Sequence, residues 1–315
     1  MKSVLRLTAS VVLLGVAAYF LDWRALARIL TELSPAAFCA AILIAAFQFL
    51  PVAYRWFMLV RAVRPERFLW HLRYFCTGTF LNTFTPANIG GDVYRFVMLR
   101  RDGRRYFVLL ALFRERLLGL HSYLLGYLIF WFGYVAIGGQ RSPILDLLAG
   151  AILIAQAGLW GLPMLLKRIR RHGWFTKRHK TKAIMDVCWR ASRFKSKEEF
   201  ASLFFLSMAA LSIWYVAILY LANVLEIKIA PSALGIVVVL AELIRLLPVS
   251  VQGIGLREGA YAYVFTLVGA SSEAGFALAV VGYLALTVAI LLMGVIGAVL
   301  KEIEIPPKSC LPKVT

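Results

Sequence analysis

The chain has 315 residues, of which 61% are hydrophobic and only 16% are charged, and its formal net charge is +19. Soluble domains hold about 45–50% apolar and about 25% charged residues, so this composition excludes a disordered chain, a coiled coil and an ordinary soluble enzyme. A positive excess suits either nucleic acid or a membrane surface. Because the charge lies in short blocks between long apolar runs, we predict an integral membrane protein with no nucleic-acid partner.

Six apolar stretches are long enough to cross about 30 Å of hydrocarbon as helices. They lie near residues 4–21, 36–60, 106–132, 144–166, 200–225 and 274–300. The first stretch also resembles a signal peptide, since Lys2 and Arg6 precede an apolar run. Its length and the lack of a clear A-x-A cleavage site favour an uncleaved span.

Two further apolar regions, residues 71–94 and 234–268, are interrupted by proline, glycine and polar residues. Irregular backbone at membrane depth is tolerated only inside protein or beside a water-filled cavity. We therefore predict that each region is a re-entrant hairpin, in which two half-helices enter and leave the membrane on one side.

The basic residues support this topology, because positively charged loops stay in the cytoplasm. Arginines flank the first hairpin at 61–73 and at 95–105, so both flanks are expected inside. Residues 167–199 carry twelve Lys or Arg against three acids and are predicted to form a cytoplasmic loop on anionic headgroups. The same distribution predicts a multi-pass protein of the cell (plasma or inner) membrane with both termini in the cytoplasm.

The two breaks share the pattern P-x-x-[IV]-x-G-x-x-x-R, from Pro86 to Arg95 and from Pro248 to Arg257. With the mirrored order of spans, this pattern predicts an inverted repeat inside one membrane domain, residues 1–315. The first repeat covers about residues 4–132 and contains the hairpin at 71–94. The second repeat covers about residues 144–300 and contains the hairpin at 234–268. The predicted fold class is an all-α polytopic membrane protein with about six spans and two re-entrant hairpins. Paired interrupted segments point to a transporter's midplane site.

At these residues the sequence resembles a known family. The run from Pro86 to Arg95, Glu115-Arg116, and the motif P-x-x-x-x-G-x-G-x-R-E ending at Glu258 resemble the transmembrane region of lysylphosphatidylglycerol synthases. Arg55-Trp56 late in the second span also looks like a family element. The resemblance covers nearly the whole chain and implies a flippase-like membrane protein. Since the chain carries no soluble aminoacyltransferase domain, the resemblance implies lipid translocation and not lysyl transfer.

Ionisable side chains at membrane depth are costly and usually face a partner or a polar cavity. We expect the substrate-binding residues to be polar side chains in or near the breaks: Arg257, Glu258, Arg95, Asp92, Asn88, Glu115, Arg116 and Arg55. Other residues are expected to shape the breaks, the prolines by ending helices and the glycines by allowing tight turns. These are Pro86, Gly90, Gly91, Pro248, Gly253 and Gly255.

Several of these residues have more than one interpretation. Arg257, near a helix start, either clamps a lipid phosphate or forms an ion pair with Glu258, Asp92 or Glu115 that locks the hairpins. Arg95 either closes the hairpin on a headgroup or is a cytoplasmic topology charge. Asp92 binds a cationic headgroup, accepts a proton or, by default, caps the helix that follows. Asn88 donates to a lipid oxygen or satisfies freed backbone.

Two pairs of charged residues lie close together in the chain. Glu115 and Arg116 are adjacent, so they point about 100° apart on a helix and are expected to have different partners. Glu242 and Arg245 are three residues apart and are expected to form a local salt bridge.

The function that the sequence favours is a lipid flippase or scramblase that moves an anionic or lipid-linked headgroup between leaflets. Anionic phospholipid, aminoacylated lipid, hopanoid and polyprenyl-linked glycan all fit as substrates. No Walker A motif and no metal-ligand spacing occurs in the sequence, so neither a cofactor nor a metal is expected. The alternative is an intramembrane lipid-modifying enzyme, such as a lipid-linked glycosyltransferase, or an accessory subunit of one. A homodimer or a partner in lipid biosynthesis is compatible with either.

Overall fold

The structure, a computed structural model, describes residues 31, 33–62, 64–83, 85, 89–99, 105–171, 189–190, 193–194, 196–247, 250 and 253–302. The predicted first span at 4–21 lies outside these residues, as do Pro86, Asn88 and Pro248. Within the described ranges the regular structure is entirely helical.

Ten helices account for the described part of the chain. In order they are α1 (Pro35–Phe47), α2 (Phe49–Val60), α3 (Phe68–Asn82), α4 (Gly90–Leu99), α5 (Arg105–Ala136), α6 (Pro143–Arg171), α7 (Lys197–Val224), α8 (Pro231–Arg245), α9 (Leu256–Leu267) and α10 (Ser272–Glu302). Local sequence explains several helix starts. The Ser34 hydroxyl accepts the Ala37 N–H at the start of α1, and the Ser196 hydroxyl accepts the Glu199 N–H at the start of α7.

Five segments among the described residues are long and apolar enough to span a membrane. They are Pro35–Val60, Tyr106–Ala136, Pro143–Ile169, Lys197–Val224 and Ser272–Lys301. Each agrees with one of the predicted spans, with ends that differ by four residues or fewer. The prediction of an all-α polytopic membrane protein is confirmed.

The two interrupted regions each form a pair of short helices with a break between them. Helices α3 and α4 run antiparallel, since the Asn82 Oδ1 accepts the Gly91 N–H at 2.7 Å and Arg95 packs against Gly78 farther along the pair. Helices α8 and α9 enclose the second break in the same order along the chain. The helix–break–helix form is therefore as predicted, whereas re-entry on one side of the membrane stays a prediction.

The glycines of the two breaks play different parts. Gly253 and Gly255 have φ of +78° and +81°, a conformation that only glycine adopts without strain, so the predicted tight turn is confirmed there. Gly90 and Gly91 lie in the first turn of α4 without a positive φ, and the tight turn expected before them falls on residues 86–88, outside the described part of the chain. Gly91 is needed for space, because a Cβ there would lie 1.9 Å from the Gly78 carbonyl oxygen.

Each pair of short helices packs against a long helix that is distant in sequence. Helix α3 lies antiparallel to the end of α10, with Cys76 Sγ 3.9 Å from Met293 Sδ. Helix α8 lies antiparallel to α5, where the Tyr123 hydroxyl reaches Glu242. All residues of α8 from Ala233 to Glu242 are buried. The first helix of each pair is thus packed against a long helix from the other half of the chain. The two-repeat domain division stays a prediction.

Candidate functional site

Three arginines and two acids form a network where α2, α4 and α5 meet. The Arg95 Nη1 donates to Glu115 Oε2 at 2.9 Å, and the Arg95 Nη2 donates to Asp92 Oδ1 at 2.5 Å. The Arg116 Nη2 donates to the other Asp92 oxygen at 2.6 Å. Arg55 lies 3.7 Å from the second oxygen of Glu115. Positive charge therefore exceeds negative charge in this network by one.

Packing fixes the two deepest arginines. The Arg95 guanidinium lies 4.4 Å from the centre of the Trp56 ring, a cation–π contact. The Arg55 Nη1 donates to the Ser207 hydroxyl on α7 at 2.5 Å, and Ser207 in turn donates to the Leu203 carbonyl. Arg55 and Arg95 are 6% and 5% exposed, so they are desolvated unless a ligand or water reaches them. Buried charges of this kind need partners at every polar atom.

A second charged pair lies on α8. The Arg245 Nη2 is 2.5 Å from Glu242 Oε2, which confirms the predicted local salt bridge. The Tyr123 hydroxyl, on α5, donates to the same Glu242 oxygen at 3.4 Å.

Both charged groups face one cavity of about 220 Å³. Its charged lining residues are Arg55, Arg95, Arg116, Arg245, Glu115 and Glu242. Uncharged polar side chains also line it: Gln48, Thr79, Asn82, Ser122, Tyr123 and Ser207. Four arginines and two glutamates line the wall, and the Asp92 carboxylate that pairs with Arg95 and Arg116 lowers the excess of positive charge to one. Because the surrounding helices are apolar enough to span a membrane, this is a polar chamber at membrane depth.

Arg257 and Glu258 are buried but lie away from this cavity's described lining. The Glu258 Oε2 accepts the Gly255 N–H at 2.6 Å and so stabilises the start of α9. The Arg257 Nη2 lies 3.6 Å from Glu258 Oε1, and its guanidinium lies 4.1 Å from the centre of the Tyr283 ring. Arg257 therefore lies beside Glu258 and not beside Asp92 or Glu115, but none of its three guanidinium nitrogens has a hydrogen-bond partner among the described residues, so the phosphate interpretation stays a prediction.

The structure brings together five of the predicted substrate-binding residues: Arg55, Asp92, Arg95, Glu115 and Arg116. Glu115 and Arg116 have different partners, as their 100° separation predicted. The side chain of Asp92 contacts two arginines, one on each oxygen, and its role as a headgroup ligand, a proton acceptor or a helix cap stays a prediction. Its position in the first turn still suits the helix dipole.

Sequence reasoning missed the contribution of uncharged residues. Ser207 lies within an apolar helix, and nothing in its neighbourhood marks it as a partner of Arg55. The sequence around Tyr123 likewise does not mark it as a partner of Glu242. Glu242 and Arg245 were recognised as a pair but not as part of the same chamber, because that requires knowing that α8 packs against α5.

A second cavity, of about 600 Å³, lies between α5, α6 and the start of α7. Its walls are mainly apolar and aromatic, including Trp160 and Phe200, with His121 among them. Among the described residues, no three His, Cys, Asp or Glu side chains come together in a group that could hold a metal ion.

The sequence pattern of the family described as "Lysylphosphatidylglycerol synthase TM region" matches residues 3–294. The chain belongs to this family. The match includes the first four spans and both pairs of short helices in full, and the last span as far as residue 294. No curated protein matches the chain. Family membership and the apolar helices together make this an integral membrane protein associated with membrane lipids.

Proposed function

We propose that this member of the family moves lipid headgroups between the two leaflets of a membrane, as a flippase or scramblase. The observation that carries the proposal is the arginine-lined chamber among helices that are apolar enough to span a bilayer. An anionic headgroup loses its hydration when it enters hydrocarbon, which is very costly for a charge. Buried guanidinium groups replace water as hydrogen-bond donors and offset that cost.

The size of the chamber suits a headgroup. Pockets for whole small molecules measure about 300–1,000 Å³, whereas this one measures about 220 Å³. The acyl chains then stay in the bilayer while the polar part of the lipid crosses. Many apolar side chains face outward, among them Leu147, Ile154 and Phe205, which provides the surface that lipid chains require.

The arrangement of the helices also supports transport. Helix α3 packs on α10, the long helix that follows the α8–α9 pair. Helix α8 packs on α5, the long helix that follows the α3–α4 pair. Each pair is therefore held by the helix that follows the other pair. This reciprocal packing supports the proposed inverted repeat, because it treats the two halves of the chain alike. In transporters with inverted repeats, one half moves against the other around a fixed site near the midplane.

The test is a transbilayer assay in proteoliposomes that also identifies the lipid. Purified protein is reconstituted with fluorescent phosphatidylglycerol in both leaflets, and a membrane-impermeant reductant removes the signal of the outer leaflet. We expect the protected fraction to fall below that of protein-free vesicles, and the lipid recovered from a parallel sample without reductant to be unchanged in mass. A lipid of altered mass would favour the intramembrane enzyme, and unaltered protection with unaltered lipid would contradict transport.

A further inference from the structure

The three described carboxylates around the chamber each form an ion pair with at least one arginine. Glu115 contacts both Arg95 and Arg55, one on each oxygen. Asp92 contacts Arg95 on one oxygen and Arg116 on the other. Glu242 contacts Arg245 and accepts the Tyr123 hydroxyl. A cationic group that enters the chamber therefore meets carboxylates whose charge is already neutralised.

Several arginine hydrogen-bond donors, in contrast, have no partner in the described part of the chain. The Nε atoms of Arg55, Arg95 and Arg245 are buried and have no hydrogen-bond partner among the described residues. All three arginines line the chamber. These three nitrogens are shielded from the cavity itself, so the excess that a ligand meets is the charge of the wall: four arginines against Glu115, Glu242 and the Asp92 carboxylate that pairs with two of them. The ligand that corrects this imbalance supplies oxygen acceptors and negative charge.

We propose that the chamber selects lipids with a phosphate headgroup that carries no amino group, and rejects aminoacylated lipids. This inference rests on the proposed function, since it names the substrate class of the same site. A phosphodiester brings two anionic oxygens and no ammonium group. Lysine esterified to such a headgroup adds an α-ammonium and an ε-ammonium, which reverses the net charge to positive. The two ammonium groups would face a wall whose arginines outnumber its carboxylates, Asp92 included, by one, and whose described carboxylates are all paired with arginine.

Selection therefore differs from what the family's description suggests, which names lysylphosphatidylglycerol. On the α8 side of the chamber, Arg245 is the residue that determines the headgroup preference, because it neutralises the charge of Glu242. Replacing Arg245 with glutamine removes one positive charge and frees one carboxylate in the same step. Arg245→Gln is expected to weaken phosphatidylglycerol binding and strengthen binding of the lysyl ester.

The experiment compares phosphatidylglycerol with its lysyl ester in two readouts, transbilayer movement in proteoliposomes and retention on the purified protein by native mass spectrometry. We expect wild type to prefer phosphatidylglycerol about tenfold or more in both, in line with one charged hydrogen bond. Arg245→Gln narrows this ratio, and the control Arg141→Gln leaves it unchanged, since Arg141 pairs with Asp146 outside the chamber.

Equal or preferential handling of the lysyl ester by wild type would overturn the inference. If neither lipid moves but phosphatidylglycerol is retained preferentially, the headgroup selection stands and the transport function fails. If both lipids move at the same rate and are retained equally, transport stands and the selection fails. The two readouts thus separate the two proposals.

Discussion

At the scale of single residues, the chamber depends on a balance between buried charges of both signs. Glu115 holds Arg95 at 2.9 Å and Arg55 at 3.7 Å, and it is only 9% exposed. Breaking a buried ion pair from one side leaves a charge without a partner, which costs far more than losing an exposed pair. Glu115 is therefore essential to the fold of the site, even if it never contacts a lipid.

Replacing Glu115 with glutamine is expected to lower stability by about 3 kcal/mol, because two buried arginines lose their shared counter-charge. Denaturation in mixed micelles, followed by tryptophan fluorescence, measures the change. Glu226→Gln is the control, since Glu226 is exposed in the turn after α7. Equal unfolding midpoints for the two variants would show that the buried network does not stabilise the protein.

Close backbone approach fixes the position of Arg95 as much as its ion pairs do. Gly91 lies four residues before Arg95 in the chain, and it allows α4 to touch α3 at Gly78. The neighbouring atom is a backbone oxygen and not the end of a flexible side chain, so added volume has no easy outlet.

Gly91→Ala is expected to destabilise the protein by about 1–3 kcal/mol through overpacking and to reduce transport as Arg95 is displaced. Gly150→Ala serves as the matched control, because a Cβ at Gly150 of α6 meets nothing within 4 Å. That change is expected to be neutral or slightly stabilising, since alanine favours helix over glycine. Thermal unfolding in detergent compares the two, and a Gly91→Ala protein as stable as Gly150→Ala would refute the close contact.

At the scale of elements, the account depends on how the α3–α4 pair enters the membrane. The two helices are too short to span about 30 Å each, since an α-helix rises 1.5 Å per residue. Their antiparallel contact allows the chain to return to the side from which it came. The arginine blocks before and after the pair then lie in one compartment, as basic loops prefer.

Cysteine labelling tests this directly. In a background without the four native cysteines, single cysteines are placed at Ala62 and Arg104, and an impermeant maleimide is applied to inverted and right-side-out vesicles. We expect both positions to react from the same side, the cytoplasmic one. Reaction from opposite sides would mean that the pair crosses the membrane, and the re-entrant hairpin and the inverted repeat would both fail.

At the scale of the whole molecule, the sequence predicts the spans far better than it predicts the site. Span positions follow from hydropathy, which is a local property, and five predicted spans reappear within four residues. The positive φ at Gly253 and Gly255 also follows locally, from the spacing of glycines after a helix.

The site is harder to predict because it depends on contacts between distant residues. Arg95 and Arg257 hold equivalent places in the pattern that the two breaks share, and the sequence allows both a headgroup contact and a purely structural role for each. In the structure Arg95 lines the chamber, whereas Arg257 stacks on Tyr283 beside Glu258. Their surroundings are set by the helices packed against them, and that packing cannot be read from a single sequence.

The measurement that tests the central claim most directly is the rate at which phosphatidylglycerol crosses the bilayer in proteoliposomes of Arg116→Gln. The Arg116 side chain is 42% exposed and lines the chamber. When Arg116 is replaced, Asp92 keeps Arg95 as a partner, so the fold is expected to survive. Loss of one charged hydrogen bond predicts a rate about tenfold or more below wild type, while the Arg141→Gln control keeps the wild-type rate. A folded Arg116→Gln protein that moves the lipid as fast as wild type would contradict the account.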